Sequence, residues 1–178
     1  GGPAGLYTAG EFDLGSVRSP WGELMELGRS CVDGEYRTGL VMQLLWRGIL
    51  DYLDTYRIGL MLGCASLPGT EPQAIAPLLS YLHHHHLAGP DLRPRALPDR
   101  YVRADLVPAE ELDPRTCLRQ LPPLLKAYLR MGGMIGDGAV IDAQFNTIDV
   151  CLVLPTDLVK AHYMRHYRQH RPQIAAAA

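Results

Sequence analysis

The sequence predicts an α/β fold built on a mixed sheet, and three observations predict it. Residues 57–66 (RIGLMLGCAS) form a nearly continuous apolar run, the mark of a central strand buried on both faces. Before it, at 36–55, Leu40, Val41, Leu44, Leu45, Gly48, Ile49 and Tyr52 recur at intervals of three and four, as on one face of a helix. Two further apolar segments, 134–142 (MIGDGAVID) and 147–154 (TIDVCLVL), follow a helical stretch and read as strands. Strand, helix, buried strand, helices, strand, strand is the order of an α/β or α+β mixed sheet.

Taken in order, residues 6–14 (LYTAGEFDL) lie between glycines and read as a short strand or extended segment. Residues 15–22 hold Gly, Ser, Pro and Gly and form a loop. Residues 23–32 (ELMELGRSCV) form a strand with polar residues projecting from it, and Asp33-Gly34 turns the chain into the helix at 36–55. Pro68-Gly69 breaks the buried strand. A second helix spans 72–86, and 87–100, with three prolines, reads as a loop. Residues 101–106 (YVRADL) alternate weakly, as a strand or a loop edge. A third helix covers 115–131, with Pro122-Pro123 marking its true first turn, since proline is tolerated there and not in a helix interior. Residues 157–168 read as a short basic tail helix. Residues 1–174 are expected to form one domain, and 175–178, four alanines, a frayed tail.

Composition narrows the function. The 178 residues amount to one domain, and 47% hydrophobic with 20% charged residues supports a real core. A formal net charge of −2 gives no bulk attraction to nucleic acid, and basic residues do not interleave with aromatics. Cys31, Cys64, Cys117 and Cys151 form no CxxC pair, which argues against a zinc ribbon or thioredoxin-like site and fits reduced thiols in a cytoplasmic protein. No apolar run approaches the roughly 20 residues that span a bilayer, and no signal peptide is read. The tail residues Lys160, His162, Arg165, His166, Arg168 and Arg171 offer either peripheral contact with an anionic membrane or a solvated end. His83 to His86 share no helix face with a Cys or carboxylate pattern; the run reads as helix-end structure, and no metal site is expected. No GxSxG, HExxH, complete Walker loop or GxGxxG element occurs.

Three constellations carry candidate chemistry. The first is the strand–turn–helix junction at Arg37-Thr38-Gly39-Leu40-Val41-Met42, where a helix N-terminus exposes N–H groups suited to a phosphate; an ordinary connection reads the same way. In the second, Glu26-Leu27-Gly28-Arg29, Glu26 can bind or deprotonate an amine and Arg29 can bind a carboxylate, or the two form a structural ion pair. Gly28 is suited to a strand bulge. The third is Tyr128 before Gly132-Gly133 at a helix end, either an acid for a leaving group or a packed aromatic. Glu11, Asp13, Asp137, Asp142 and Asp149 are carboxylates a cationic amino acid would need, and each also reads as a turn or strand-edge residue. Two glycines flank Asp137 and bring its backbone close to a neighbour. Cys31 has no histidine partner placed near it by sequence, which disfavours a covalent intermediate.

Several blocks together resemble the L-ornithine N(alpha)-acyltransferases of ornithine-lipid synthesis, GNAT-fold enzymes also labelled hemolysin-like. They are Glu11-Phe12-Asp13-Leu14, Glu26 through Val32, Tyr36-Arg37 through Trp46, Gly63-Cys64-Ala65-Ser66, Leu79 through His84, Leu121 through Leu129, and Gly136-Asp137-Gly138-Ala139 with Phe145-Asn146-Thr147. The resemblance implies a GNAT-like acyltransferase fold lacking its N-terminal strands and helices, with an open sheet edge and an exposed apolar face. It implies transfer of a 3-hydroxyacyl group from acyl carrier protein to the α-amino group of L-ornithine, giving lyso-ornithine lipid, by direct attack on the thioester. Leu40 and Met42 stand where the family turn R-x-x-G-x-G has small residues, which favours the single phosphodiester of a carrier protein's acyl-phosphopantetheine over acyl-CoA; no permanently bound cofactor is expected. Glu26, Arg29 and Tyr128 are the expected catalytic residues. Glu11, Asp13, Ser30, Cys31, Val32, Arg37 and Asp137 are the expected substrate-binding residues. Another amino-acid acceptor, an acyl-homoserine-lactone-type product, or a non-catalytic module that binds lipid or carrier protein are the rival readings. The expected location is the cytoplasm, with peripheral contact at the inner membrane.

Overall fold

The computed structural model describes residues 5–15, 17–28, 32–159 and 161, and of Met42 only the backbone. Its main sheet has the strand order β2 (Glu23–Glu26), β3 (Ile58–Pro68), β7 (Thr147–Pro155), β5 (Met134–Ile135), and β6 (Val140–Asp142) pairs with β7 on the same side as β5. β2 and β3 run parallel, and the other pairs are antiparallel. A parallel pair needs a crossover, supplied by helix α1 (Gly39–Thr55). A separate antiparallel ribbon joins β1 (Phe12–Asp13) to β4 (Arg95–Ala96).

The alternation of β3 and β7 divides the core. Met61 and Leu67 with Ile148, Val150, Leu152 and Leu154 face one side, where helices α1, α2 (Ala76–His86), α3 (Pro114–Gln120) and α4 (Pro123–Arg130) pack. Leu60 and Leu62 with Cys151 and Val153 face the other, against Phe12, Leu14, Val17 and Ala96. All the strand residues just named are at most 5% exposed. Each such side chain contributes about 1.5–3 kcal/mol of burial, so β3 and β7 are the axis of stability. The uninterrupted apolar run at 57–66 is what a strand covered on both faces requires.

α1 starts where Thr38 Oγ1 accepts the Val41 N–H. It ends before Arg57, at φ +53, in the left-handed region. The helix is as expected, but its buried face is not. Trp46 and Leu53 are buried with Ile49 and Leu50 half-buried beside them, while Leu40, Leu44, Leu45 and Tyr52 are exposed. Both sets satisfy a three-four spacing; the edge-on contact of Trp46 with Tyr128, ring centroids 5.7 Å apart, selects the first.

Four expected boundaries change. Residues 6–14 form a 3-10 turn, Tyr7–Gly10, and only a two-residue strand, Phe12–Asp13. Among the described residues the strand expected over 23–32 is Glu23–Glu26, with an irregularity between Glu23 and Leu24. The helix expected over 115–131 is two helices, because Leu121, before Pro122, is held extended at ψ 148. The strand expected over 134–142 is split by Gly136-Asp137-Gly138. Gly138 has φ +78, and a Cβ there would lie 2.4 Å from the Tyr101 ring. Residues 101–106 contribute only a bridge, Val102 to Ala139. The histidine run closes α2: the Nε2 atoms of His84 and His86 contact Val107 O and the Tyr81 hydroxyl. Cys64, Cys117 and Cys151 are free thiols. Among the described residues no helix is long and apolar enough to cross a membrane.

Candidate active site

Among the described residues the pairing of β2 with β3 ends at Leu27, whose N–H donates to Leu62 O at 2.8 Å, while β3 continues to Pro68. Close contact up to that point needs glycines on β3. A Cβ on Gly59 would lie 1.4 Å from Trp21 O, and one on Gly63 2.2 Å from Leu27 O. Beyond it a cavity of about 300 Å³ opens on the helical face. Its apolar wall includes Leu27, Met61, Ala65, Leu125 and Leu152, and Tyr128 stands in it. Tyr128 is buried, burial pushes its phenol pKa up, and among the described residues no hydrogen bond engages its hydroxyl. It therefore stays protonated with its proton unspent.

Across the sheet lies a chain of polar groups. Glu26 Oε2 accepts the Tyr7 N–H at 2.8 Å, and Oε1 accepts the Thr8 N–H at 2.6 Å and the Thr8 hydroxyl proton. Cys64 Sγ lies 3.8 Å from Thr8 Oγ1 and donates to Glu11 Oε2 at 3.3 Å. Glu11 is 3% exposed and sits 3.6 Å from the Arg100 guanidinium. Burial pushes its carboxyl pKa up; the Cys64 hydrogen bond and Arg100 oppose this, and the Asp149 and Asp142 charges add to it. Burial and the Glu11 charge push the Cys64 thiol up, so it serves as a proton donor and not a thiolate.

The expected residues separate into groups. Glu26, Glu11 and Tyr128 border the same stretch of β3, two on one face and one on the other. Arg29, Ser30 and Cys31 lie outside the described residues, as does the basic tail from His162 onward together with Lys160. Val32 O accepts from Arg37 Nε at 2.9 Å, and both residues belong to the turn before α1. Asp13 accepts the Gly15 N–H and is exposed on β1. Asp137 is held by Arg95 at 3.3 Å and by the Tyr101 hydroxyl at 3.0 Å, an arrangement that secures the loop between β5 and β6. Missing from the expected set were Thr8, Cys64 and Arg100, while Asp149, one of the candidate carboxylates, joins Glu11 and Cys64. Odd-even alternation along β3 and β7 places Cys64 and Asp149 on the face of Glu26, a signal present in the sequence once the registers are known.

The sheet parts at a parallel pair, with an apolar cleft there and ionisable groups behind it, and residues 2–47 match the family described as Acetyltransferase (GNAT) domain. Along 165 residues, 92% of its length, the chain is similar to proteins named L-ornithine N(alpha)-acyltransferase. It is 47% identical to that of Agrobacterium fabrum and 46% identical to that of Brucella abortus, covering 56% and 59% of those proteins. It is 44% identical to that of Rhodobacter capsulatus over 162 residues, 62% of that protein. The chain thus spans little more than half the length of the curated relatives it matches. No solved structure matches it.

Proposed function

We propose that the protein transfers a 3-hydroxy fatty acyl group from the phosphopantetheine thioester of acyl carrier protein to the α-amino group of L-ornithine, forming lyso-ornithine lipid. The observation that carries this reading is the 47% identity to an L-ornithine N(alpha)-acyltransferase along 92% of the chain, which contains the cleft and the carboxylates behind it. The apolar cleft suits an acyl chain and the arm that bears it. The edge of β3 past Leu62 offers backbone groups to an extended pantetheine, as a sheet edge offers them to a strand. The N-terminus of α1, capped by Thr38, offers N–H groups to a single phosphodiester.

In this reading the neutral α-amine attacks the thioester carbon, forming the C–N bond, and collapse of the tetrahedral intermediate breaks the C–S bond. The amine proton leaves through the chain ending at Glu11, whose raised pKa makes it a stronger base than an exposed glutamate. The departing thiolate takes the Tyr128 proton. Glu26 holds the Tyr7–Thr8 backbone that orders this chain. The amphiphilic product places the reaction beside a membrane, on its cytoplasmic side.

The test supplies the whole protein with 3-hydroxyacyl carrier protein or 3-hydroxyacyl-CoA and a panel of ornithine, lysine and glycine, and identifies products by mass spectrometry. Transfer from the carrier protein to ornithine is expected. Preferred transfer to another acceptor, equal use of the CoA donor, or no transfer overturns the acceptor, the donor or the reaction respectively.

A further inference from the structure

Glu11, Cys64 and Asp149 come from the turn before β1, from β3 and from β7, yet one donor atom from each lies within 4.8 Å of the others. Asp149 pairs with Ser66 on one side and Val140 on the other, so its side chain lies on the face of Cys64. Asp142 enters the same field: its charge and that of Asp149 both raise the Tyr7 phenol and the Glu11 carboxyl. Against these acids, the ion pair recorded among the described residues is Arg100 with Glu11 alone.

An independent sign comes from unpartnered atoms. Asp149 is 5% exposed, and its Oδ1 is buried with no hydrogen-bond partner among the described residues. Thr147 Oγ1, two residues earlier on β7 and so on the same face, is also buried and unpartnered. Buried oxygens are costly without donors, and charged ones most of all. A cationic donor that brings several N–H groups satisfies them best. A primary ammonium brings three. The Cys64 thiol, already donating to Glu11, leaves the free positions to oxygen, which suits ammonium better than a thiolate-seeking metal. Tyr7 and Ser66, both exposed, form the rim, and Cys64 and Ser66 also border the cleft.

We propose that Asp149 and Thr147, with Cys64 and Glu11 beside them, are the subsite for the side-chain ammonium of the acceptor amino acid, Glu11 remaining the proton acceptor. The assignment rests on the acyl-transfer reading above and extends it: the nest selects a diamino acid and leaves the α-amine to approach the cleft.

The test compares ornithine with norvaline, which has the same five-carbon chain without the side-chain amine, by calorimetric binding and by acyl transfer in the whole protein. The wild type is expected to bind and acylate ornithine in preference. Asp149→Asn is expected to reduce the ornithine-to-norvaline ratio of kcat/KM by about 10–100-fold, the effect of losing a charged hydrogen bond. Thr147→Val preserves shape, carries the test if Asp149→Asn fails to fold, and is expected to lower the ratio several-fold. Ornithine transfer with an unchanged ratio in the variants overturns the nest while the acyltransferase stands. Ornithine binding that depends on Asp149, without any transfer, sustains the nest and overturns the reaction. A stoichiometric divalent metal in the purified protein, lost in Asp149→Asn, overturns the ammonium assignment.

Discussion

Replacing Gly63 by alanine tests whether the split between β2 and β3 depends on a missing side chain. A Cβ at Gly63 would sit 2.2 Å from Leu27 O, and this carbonyl is backbone. An ordinary carbon–oxygen contact is about 3.3 Å, so β2 must retreat by roughly 1 Å. That shift breaks the Leu27 N–H to Leu62 O bond, about 0.5–1.5 kcal/mol, and adds an overpacking strain of about 1–3 kcal/mol. Gly63→Ala is therefore expected to destabilise by about 2–4 kcal/mol, a fall in Tm of roughly 5–15 °C. Urea unfolding measures the first figure, and hydrogen exchange at the Leu27 amide locates the damage. Gly48→Ala is the matched control: it lies exposed in α1 with nothing within 4 Å, and it should stabilise by about 1 kcal/mol. Equal stabilities for Gly63→Ala and wild type, with Leu27 protection intact, would refute the argument that Gly63 admits β2.

Three further outcomes follow from specific contacts. Tyr128→Phe keeps the ring against Trp46 and removes the proton; kcat is expected to fall about 100-fold with Tm nearly constant, and an unchanged kcat removes Tyr128 as the acid. Ser80 donates to Ala104 O and accepts the N–H groups of Leu106 and Val107, so Ser80→Ala should cost about 2–4 kcal/mol; denaturation showing less than 1 kcal/mol contradicts that accounting. Glu11 has a folded-state pKa above its unfolded value, so the folded protein binds the extra proton and its contribution to stability is lost as pH rises from the ordinary glutamate range through the raised value. Glu11→Gln should accordingly gain in Tm relative to wild type as pH rises through that window while losing activity on ornithine; a constant Tm difference across pH speaks against the buried charge.

The sequence was most legible where burial is symmetrical. The apolar run of β3 and that of β7 announce strands covered on both faces, and their observed spans differ from expectation by at most two residues at either end. Pro122-Pro123 marked the start of α4, and local sequence also carried the blocks around Glu26 and Tyr128. What local sequence could not carry was choice between equivalent patterns. α1 has two apolar stripes, and only tertiary contact with Tyr128 decides between them. The glycines flanking Asp137 announce a close backbone approach, but not to what; the neighbours they admit are Tyr101 and Pro94. The carboxylate nest joins positions 11, 64 and 149, whose proximity exists only after three elements have registered on the sheet.

β7 carries a consequence for how specificity can vary. Its even-numbered residues from Ile148 to Leu154 face the helices, and two of them, Leu152 and Leu154, border the cleft. Odd-numbered Asp149 lies on the opposite face with Glu11. Under the proposed function, the preference for an acyl length and the preference for a head group are thus written on alternate residues of a single strand. A substitution at an even position resizes one without disturbing the other, and an odd position does the reverse. Parity lets the two preferences drift independently, and an insertion that slipped the strand by one residue would scramble both at once.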